Sequence, residues 1–101
     1  MADVFISYAS ADRERARQLA DVLARCGYSV WWDRTIPPGR AFDEVIQEAL
    51  QAARCVVVLW SAESVRSNWV KTEAAEGLAR GTLVPALIDA VTPPIEFKRI
   101  Q

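Results

Sequence analysis

Two side chains that could handle a flat, charged ligand lie four residues apart, where Trp69 precedes Glu73. Asn68 is a favourable N-cap, so we expect a helix to begin at Trp69. At about 100° per residue, Trp69 and Glu73 share one margin of the apolar stripe of this helix. A carboxylate there can be partly desolvated and still meet a ligand, which makes Glu73 the first catalytic candidate. On spacing alone, a solvated surface carboxylate is the commoner outcome.

The composition narrows the possible chemistry. With 101 residues, half of them hydrophobic, the chain is expected to form one globular domain. The net charge is -1 and there is no basic run, so nucleic acid is not an expected partner. No apolar stretch approaches the roughly 20 residues of a membrane span and no signal peptide is recognisable, which predicts a cytoplasmic domain without a membrane partner. Histidine is absent, which excludes a His-based triad and a His-ligated zinc site.

Apolar runs and helical periodicity alternate along the chain. Strands are expected at 4–6, 28–33, 55–60 and 82–88, and helices from about residue 12 to 26, at 42–53 and at 69–80. This order calls for right-handed crossovers and a parallel sheet with helices on both faces. We therefore predict an α/β, flavodoxin-like, doubly wound sheet of strand order 2-1-3-4-5. Pro85 favours an edge position or a bulge for the last of these strands.

The predicted topology bears on where a ligand would bind. In such a sheet the ligand crevice opens at the carboxyl ends of the first and third strands, where the winding reverses. Here those ends deliver residues 7–10 and 61–68, and the helix that carries Glu73 follows directly. The topology therefore strengthens the case that Glu73 is functional.

The sequence also predicts which tryptophans and cysteines are buried. Successive side chains of a strand point to opposite faces, so Trp31 and Trp32 should face different layers. Trp31 and Trp60 are expected to pack in the core, given how apolar their strands are. Both thiols, Cys26 and Cys55, are expected to be packed as well, without a disulfide or a metal.

Three motifs, in the expected order, give the chain a specific resemblance. Residues 3–8, DVFISY, are similar to the first box of Toll/interleukin-1 receptor (TIR) domains; residues 32–39, WDRTIPPG, resemble their second box and the following loop; and residues 69–73, WVKTE, resemble the W-x-x-x-E of the enzymatic members. The chain looks like a TIR domain of the bacterial kind over residues 1–101. The family usually has a fifth strand and a last helix, so the resemblance implies a C-terminally truncated fold and the N-terminal part of a longer protein.

The resemblance implies an activity and a set of site residues. Many members of the family cleave NAD+ to nicotinamide and ADP-ribose or its cyclised forms, so NAD+ would be a substrate and no cofactor or metal is implied. Glu73 carries over as the catalytic carboxylate. The residues carried over as substrate-binding are Trp69, Tyr8, Ser7, Asp33 and Trp32.

The sequence leaves one alternative to an NAD-cleaving TIR domain and excludes other kinds of α/β domain. A non-catalytic TIR scaffold that binds other TIR domains is the alternative, and the loop formed by Ile36, Pro37, Pro38 and Gly39 would then be its interaction surface. An NAD-cleaving member could also require assembly into a homo-oligomer or filament, and the bacterial resemblance suggests anti-phage signalling. A receiver domain is excluded because Trp60-Ser61 stands where it needs an aspartate. Rossmann and P-loop fingerprints are absent from the sequence.

Overall fold

A computed structural model describes residues 2–35 and 38–97 of the chain. The elements in order are strand β1 (Val4–Ser7), helix α1 (Arg13–Arg25), strand β2 (Val30–Trp31), helix α2 (Phe42–Ala52), strand β3 (Cys55–Trp60), helix α3 (Asn68–Ala79) and strand β4 (Leu83–Leu87). Short 3-10 turns lie at Ser10–Asp12, Ser64–Arg66 and Ile95–Phe97.

The four strands form one parallel sheet of order β2-β1-β3-β4, as the sequence predicts. Val4 of β1 lies opposite Cys55 of β3 on one side and opposite Val30 of β2 on the other. The winding therefore reverses between β1 and β3, whose carboxyl ends deliver the polar connections before α1 and α3. Within residues 2–35 and 38–97, β4 is the last strand on one side of the sheet, and it accommodates Pro85.

Alternation along β1 and β3 divides the core between two helix layers. The α1 face holds Val4, Ile6 and Leu59 against Ala16 and Ala20. The opposite face holds two clusters, one under α2 and one under α3. They comprise Phe5, Ile46, Leu50, Ala53 and Val56, and Val58, Trp60, Val70, Ala74 and Phe97, respectively. Because Ser7 follows Phe5 at a spacing of two, it faces the same layer as α2 and α3.

Helix α3 approaches the sheet closely at Gly77. A Cβ atom at this position would lie 3.0 Å from the Cβ of Val56, which is tighter than most Cβ contacts. The glycine therefore lets the backbone of α3 pack close to β3 without displacing Val56. At the other end of α3, Glu73 accepts a hydrogen bond from Ser7 at the carboxyl edge of the sheet.

The two adjacent tryptophans separate between the layers, as their alternation predicts. Trp31 stacks on Phe5, with ring centroids 5.0 Å apart, and joins the cluster under α2. Trp32 packs against the α1 cluster. Trp60 is fully buried, as expected, and Trp31 is half-buried against the core.

Strand β2 is shorter than the predicted span of residues 28–33. The backbone N–H of Tyr28 donates to the carbonyl of Leu23 and so closes the end of α1 (3.1 Å). At the other end, the carbonyl of Trp32 accepts a hydrogen bond from the hydroxyl of Tyr8 (2.7 Å). Both groups are engaged outside the strand ladder, which leaves Val30–Trp31 as the strand.

Two further expectations are corrected. Helix α3 begins at Asn68 and its N-cap is Ser67, whose hydroxyl accepts from the backbone N–H of Val70 (3.2 Å); the expected cap was Asn68. Both residues can cap, and the chain turns one residue earlier. Cys26 is exposed because it is the C-cap of α1, whereas Cys55 is half-buried; both are free thiols. The predicted burial of Cys26 is therefore wrong.

Candidate functional site

Three segments distant in sequence meet at the carboxylate of Glu73. The hydroxyl of Ser7, at the end of β1, donates to Glu73 Oε1 (2.6 Å). Arg34, in the segment after β2, donates from Nη1 to Oε2 (2.8 Å) and from Nη2 to Oε1 (3.1 Å). Because β2 and β1 are neighbours, the segment after β2 starts at the same sheet edge as Ser7. The winding of the sheet thus assembles the site from β1, β2 and α3.

Glu73 is more deeply buried than its position on the helix predicts. Only 2% of the residue is exposed, although Trp69, one turn earlier on the same margin, is 41% exposed. A carboxylate that is removed from water is costly unless it is paired and hydrogen-bonded. Arg34 and Ser7 supply both, and the two parallel N–H donors of the guanidinium hold the carboxylate in one orientation.

Arg34 is held by more than the ion pair. Its Nη2 also donates to the carbonyl of Ile6 (3.0 Å). The guanidinium carbon lies about 5 Å from the ring centroids of Phe5, Tyr8 and Trp31. These cation–π contacts and the carbonyl stabilise the cation in a largely desolvated position.

In the sequence, Arg34 stands out only as part of the motif at residues 32–39, which does not reveal its ion pair with Glu73. The signal was present in the chain. A buried carboxylate close to an apolar stripe needs a cationic partner, and Arg34 closely follows the strand beside β1. What the sequence alone does not show is that this arginine turns inward, because that depends on the aromatic rings contributed by β1 and β2.

Two clefts open beside Glu73. The first, here the α2–α3 cleft, has a volume of about 250 Å³. It is lined by Asp43, Ile46, Gln47, Leu50, Gln51, Trp69, Thr72, Glu73 and Glu76. The second, here the arginine cleft, has a volume of about 260 Å³ and is lined by Tyr8, Ser10, Arg13, Arg34, Phe42 and Trp69. Trp69 lines both clefts. Glu73 lines the first, and its ion-pair partner Arg34 lines the second.

The remaining predicted substrate-binding residues fall into two groups. Tyr8 lines the arginine cleft, and its hydroxyl donates to the Trp32 carbonyl. Trp32 and Asp33 lie on the outer side of Tyr8, where both contact Arg13: its guanidinium lies 4.9 Å from the Trp32 ring and 3.3 Å from Asp33 Oδ1. Hydrogen bonds from Thr35 and Arg13 hold the pKa of Asp33 below its usual value. Ser7 therefore contacts Glu73 directly. Tyr8 contacts Arg34, the ion-pair partner of Glu73, whereas Trp32 and Asp33 contact Arg13.

Part of the predicted interaction loop lies outside the described residues, namely Ile36 and Pro37. The described part, Pro38 and Gly39, is exposed. Gly39 has φ +81°, a conformation that glycine adopts without strain and that turns the chain toward α2. The interaction role of the loop stays a prediction.

A second buried carboxylate, which sequence reasoning did not single out, lies on the other side of β1. Asp12 is 3% exposed and accepts hydrogen bonds from the Ser61 hydroxyl and from Arg15 Nη2 (3.0 Å). Arg15 also pairs with Asp89 after β4 (2.9 Å). Asp12 therefore ties the starts of the connections after β1, β3 and β4 together.

Residues 2–35 and 38–97 contain neither a metal-binding cluster nor a helix that could span a membrane. No group of three or more Cys, Asp or Glu side chains in these ranges is placed to hold a metal ion. No helix within them has the length and hydropathy needed to cross a membrane.

Comparison with known proteins decides the family. The family model described as TIR domain matches residues 4–101. The chain belongs to the TIR-domain family. A stimulator of interferon genes protein from Magallana gigas is 29% identical over 90% of the chain, and the chain spans about a quarter of that relative (25%).

Solved structures agree with this assignment. The TIR domain of the Toll-related receptor TRR-2 from Hydra magnipapillata superposes with a TM-score of 0.90 at 26% identity, covering 100% of this chain and 82% of that one. A metazoan TIR-STING receptor from C. gigas gives a TM-score of 0.84 at 26% identity, covering 100% of this chain and 36% of that one. The flavodoxin-like arrangement is therefore that of TIR domains.

Proposed function

We propose that this TIR domain cleaves the bond between nicotinamide and ribose in NAD+, giving nicotinamide and ADP-ribose or a cyclic ADP-ribose isomer. TIR domains can have this activity. The observation that carries the proposal is Glu73, which is buried at the carboxyl edge of the sheet and is yet among the residues that line the α2–α3 cleft, together with Trp69. NAD+ enters this scheme as a substrate, and no cofactor is required.

One carboxylate is sufficient for this reaction. Ordinary glycosides use two carboxyl groups, one of which protonates the leaving group. Nicotinamide in NAD+ is already cationic, so it leaves with the electron pair of the C1′–N bond and needs no proton. The ribose then carries oxocarbenium character, and water adds to C1′ and releases one proton. In a cyclising reaction, a ring nitrogen of the substrate's own adenine takes the place of water.

The carboxylate of Glu73 would stabilise the positive charge that develops on the ribose. An anion fixed beside the ribose stabilises the developing cation more than it stabilises the ground state. The hydrogen bonds from Ser7 and Arg34 fix the orientation of the carboxylate before any substrate arrives. The indole of Trp69, 41% exposed, offers a flat face for the nicotinamide or adenine ring.

Assembly is part of the proposal. TIR domains commonly assemble with other TIR domains. Phe42 and Trp69 form an exposed aromatic pair beside the site, with centroids 5.7 Å apart, and a neighbouring copy could cover it. We infer that a homo-oligomer or filament activates the domain. A bacterial origin and anti-phage signalling rest on the sequence motifs, since the three relatives named above come from animals.

A non-catalytic TIR scaffold is the alternative, and the same exposed aromatic pair favours it. The enzyme and the scaffold would use the same assembly surface, and only the enzyme would cleave NAD+. Release of nicotinamide is therefore the property that separates them.

Nicotinamide release from NAD+, measured by chromatography at high protein concentration, tests the proposal. We expect Glu73→Gln to lower the rate by about 100-fold or more, as losing one preorganised electrostatic group does. Glu48→Gln is the matched control, because the side chain of Glu48 is 67% exposed on α2 and pairs with Arg40, which is also exposed. A Glu73→Gln rate within a few-fold of wild type would overturn the catalytic role, and a silent wild type would favour the scaffold.

A further inference from the structure

The two clefts that share Trp69 differ in charge. Three acidic residues line the α2–α3 cleft, namely Asp43, Glu73 and Glu76, and within residues 2–35 and 38–97 no Lys or Arg joins them. The arginine cleft is lined by Arg13 and Arg34, and no Asp or Glu of the described part of the chain lines it. A dinucleotide that carries a cationic ring at one end and a diphosphate in the middle has the same separation of charge.

The size of the clefts supports a ligand that spans both. Each has a volume of about 250 to 260 Å³. Pockets for drug-sized ligands commonly occupy about 300–1,000 Å³, so a whole dinucleotide exceeds either cleft. With Glu73 and Trp69 holding the nicotinamide riboside end, the adjoining diphosphate would enter the arginine cleft.

The two arginines of this cleft are not equally available. Arg34 already forms the two-pronged ion pair with Glu73 and bonds the Ile6 carbonyl, and its side chain is only 16% exposed. Arg13 is 52% exposed, and its polar contacts are long: 3.3 Å to the exposed carboxylate of Asp33 and 3.5 Å to the Tyr8 hydroxyl. An exposed ion pair of this kind contributes little, so a dianionic ligand can displace it.

We propose that Arg13 is the residue that binds the diphosphate of the dinucleotide, and that it orients the substrate with its nicotinamide riboside in the α2–α3 cleft. This inference rests on the proposed function, which it deepens by assigning a substrate-positioning residue. The guanidinium presents two parallel N–H donors, the geometry that recognises phosphate oxygens. The Ser10 hydroxyl, which lines the same cleft, is a further donor for the same oxygens.

The test compares two ligands that differ in the diphosphate. ADP-ribose carries it, whereas nicotinamide riboside has no phosphate, and neither titration requires turnover of NAD+. Binding to the 101-residue chain is followed by calorimetry in wild type, Arg13→Gln, Arg13→Lys and Arg17→Gln. Arg17 is the matched control because it lies one turn further along α1 and pairs with Glu14 and Asp21.

We expect Arg13→Gln to weaken ADP-ribose binding by about tenfold or more, the value of a charge-assisted hydrogen bond, and to reduce its salt dependence. Arg13→Lys should lie between Arg13→Gln and wild type. Nicotinamide riboside should bind all variants within twofold, and Arg17→Gln should match wild type with both ligands. The inference is overturned by unchanged ADP-ribose affinity in Arg13→Gln, by equal weakening of both ligands, or by a wild type that does not bind ADP-ribose.

The failure of this inference differs from the failure of the proposed function. If the wild type releases nicotinamide and Arg13→Gln leaves the KM for NAD+ unchanged, the proposed activity stands and the role of Arg13 is wrong. If the wild type releases no nicotinamide but Arg13→Gln weakens ADP-ribose binding, the diphosphate site stands and the proposed activity is wrong.

Discussion

Glu73 and Asp12 are both buried carboxylates, each with a serine hydroxyl and an arginine as partners, yet they lie in different surroundings. The partner of Asp12 is Arg15, three residues along the chain, and Arg15 in turn binds the carboxylate of Asp89. The partner of Glu73 is Arg34, 39 residues away, whose other contacts are the Ile6 carbonyl and three aromatic rings. Asp12 closes a network of strand ends, whereas Glu73 lines a cleft.

The two carboxylates have the same kinds of partner but differ in their access to a cleft. Burial and ion pairing by themselves do not distinguish a structural acid from a catalytic one, because structural networks also contain such groups. What separates the two here is access to a cleft with an aromatic face, and a partner that reaches the carboxylate from a connecting segment. The comparison predicts that changes at Asp12 affect stability, whereas changes at Glu73 affect chemistry.

The largest effect on stability is expected from Asp12→Ala. It removes the acceptor of the Ser61 hydroxyl and leaves Arg15 without its buried partner, so unfolding should become easier by about 3 kcal/mol. Urea unfolding followed by circular dichroism measures it. Glu73→Gln keeps the shape and one acceptor, and its cost should be smaller, about 1 kcal/mol. Equal losses in the two variants would contradict the distinction between the two acids.

A double-mutant cycle measures how much the ion pair between Arg34 and Glu73 contributes to stability. Arg34→Met keeps the length of the side chain and removes the charge, and we combine it with Glu73→Gln. If the pair contributes to stability as its two-pronged geometry implies, urea unfolding should give a coupling energy of about 1–2 kcal/mol. Additive effects, with no coupling, would show that burial of the rings around Arg34, and not the ion pair, stabilises this segment.

The smallest effect is expected from the outer member of the Asp12 network. Hydrogen bonds from Arg15 and from the Ala62 backbone hold the pKa of Asp89 below its usual 3.8. The stabilisation is therefore present above the unfolded pKa and is lost as the pH falls through the folded value. Asp89→Asn should lower Tm at pH 7, and the difference from wild type should shrink below about pH 4. A difference that stays constant from pH 7 to pH 3 would exclude this electrostatic contribution.

Much of the fold followed from the order of apolar runs. The run at residues 55–60, apolar at every position, predicted a central strand, and β3 lies between β1 and β4. Errors are confined to ends, where local groups compete: Ser67 caps α3 in place of Asn68, and the carbonyl of Trp32 accepts from Tyr8 instead of extending β2. The cap is a choice between two adjacent residues that can both cap, whereas the end of β2 depends on Tyr8, which lies 24 residues from Trp32 in sequence.

The sequence by itself determined the parallel α/β architecture, the opposite faces of Trp31 and Trp32, and the position of Glu73 at the carboxyl edge of the sheet. These follow from periodicity and from the handedness of the crossovers, which are local or general rules. Only the tertiary structure decided that Arg34 turns inward to pair with Glu73, that Asp12 is a second buried acid, and that an acidic and a basic cleft meet at Trp69. These features depend on the distances between side chains that separate strands and helices bring together, and periodicity carries no information about such distances.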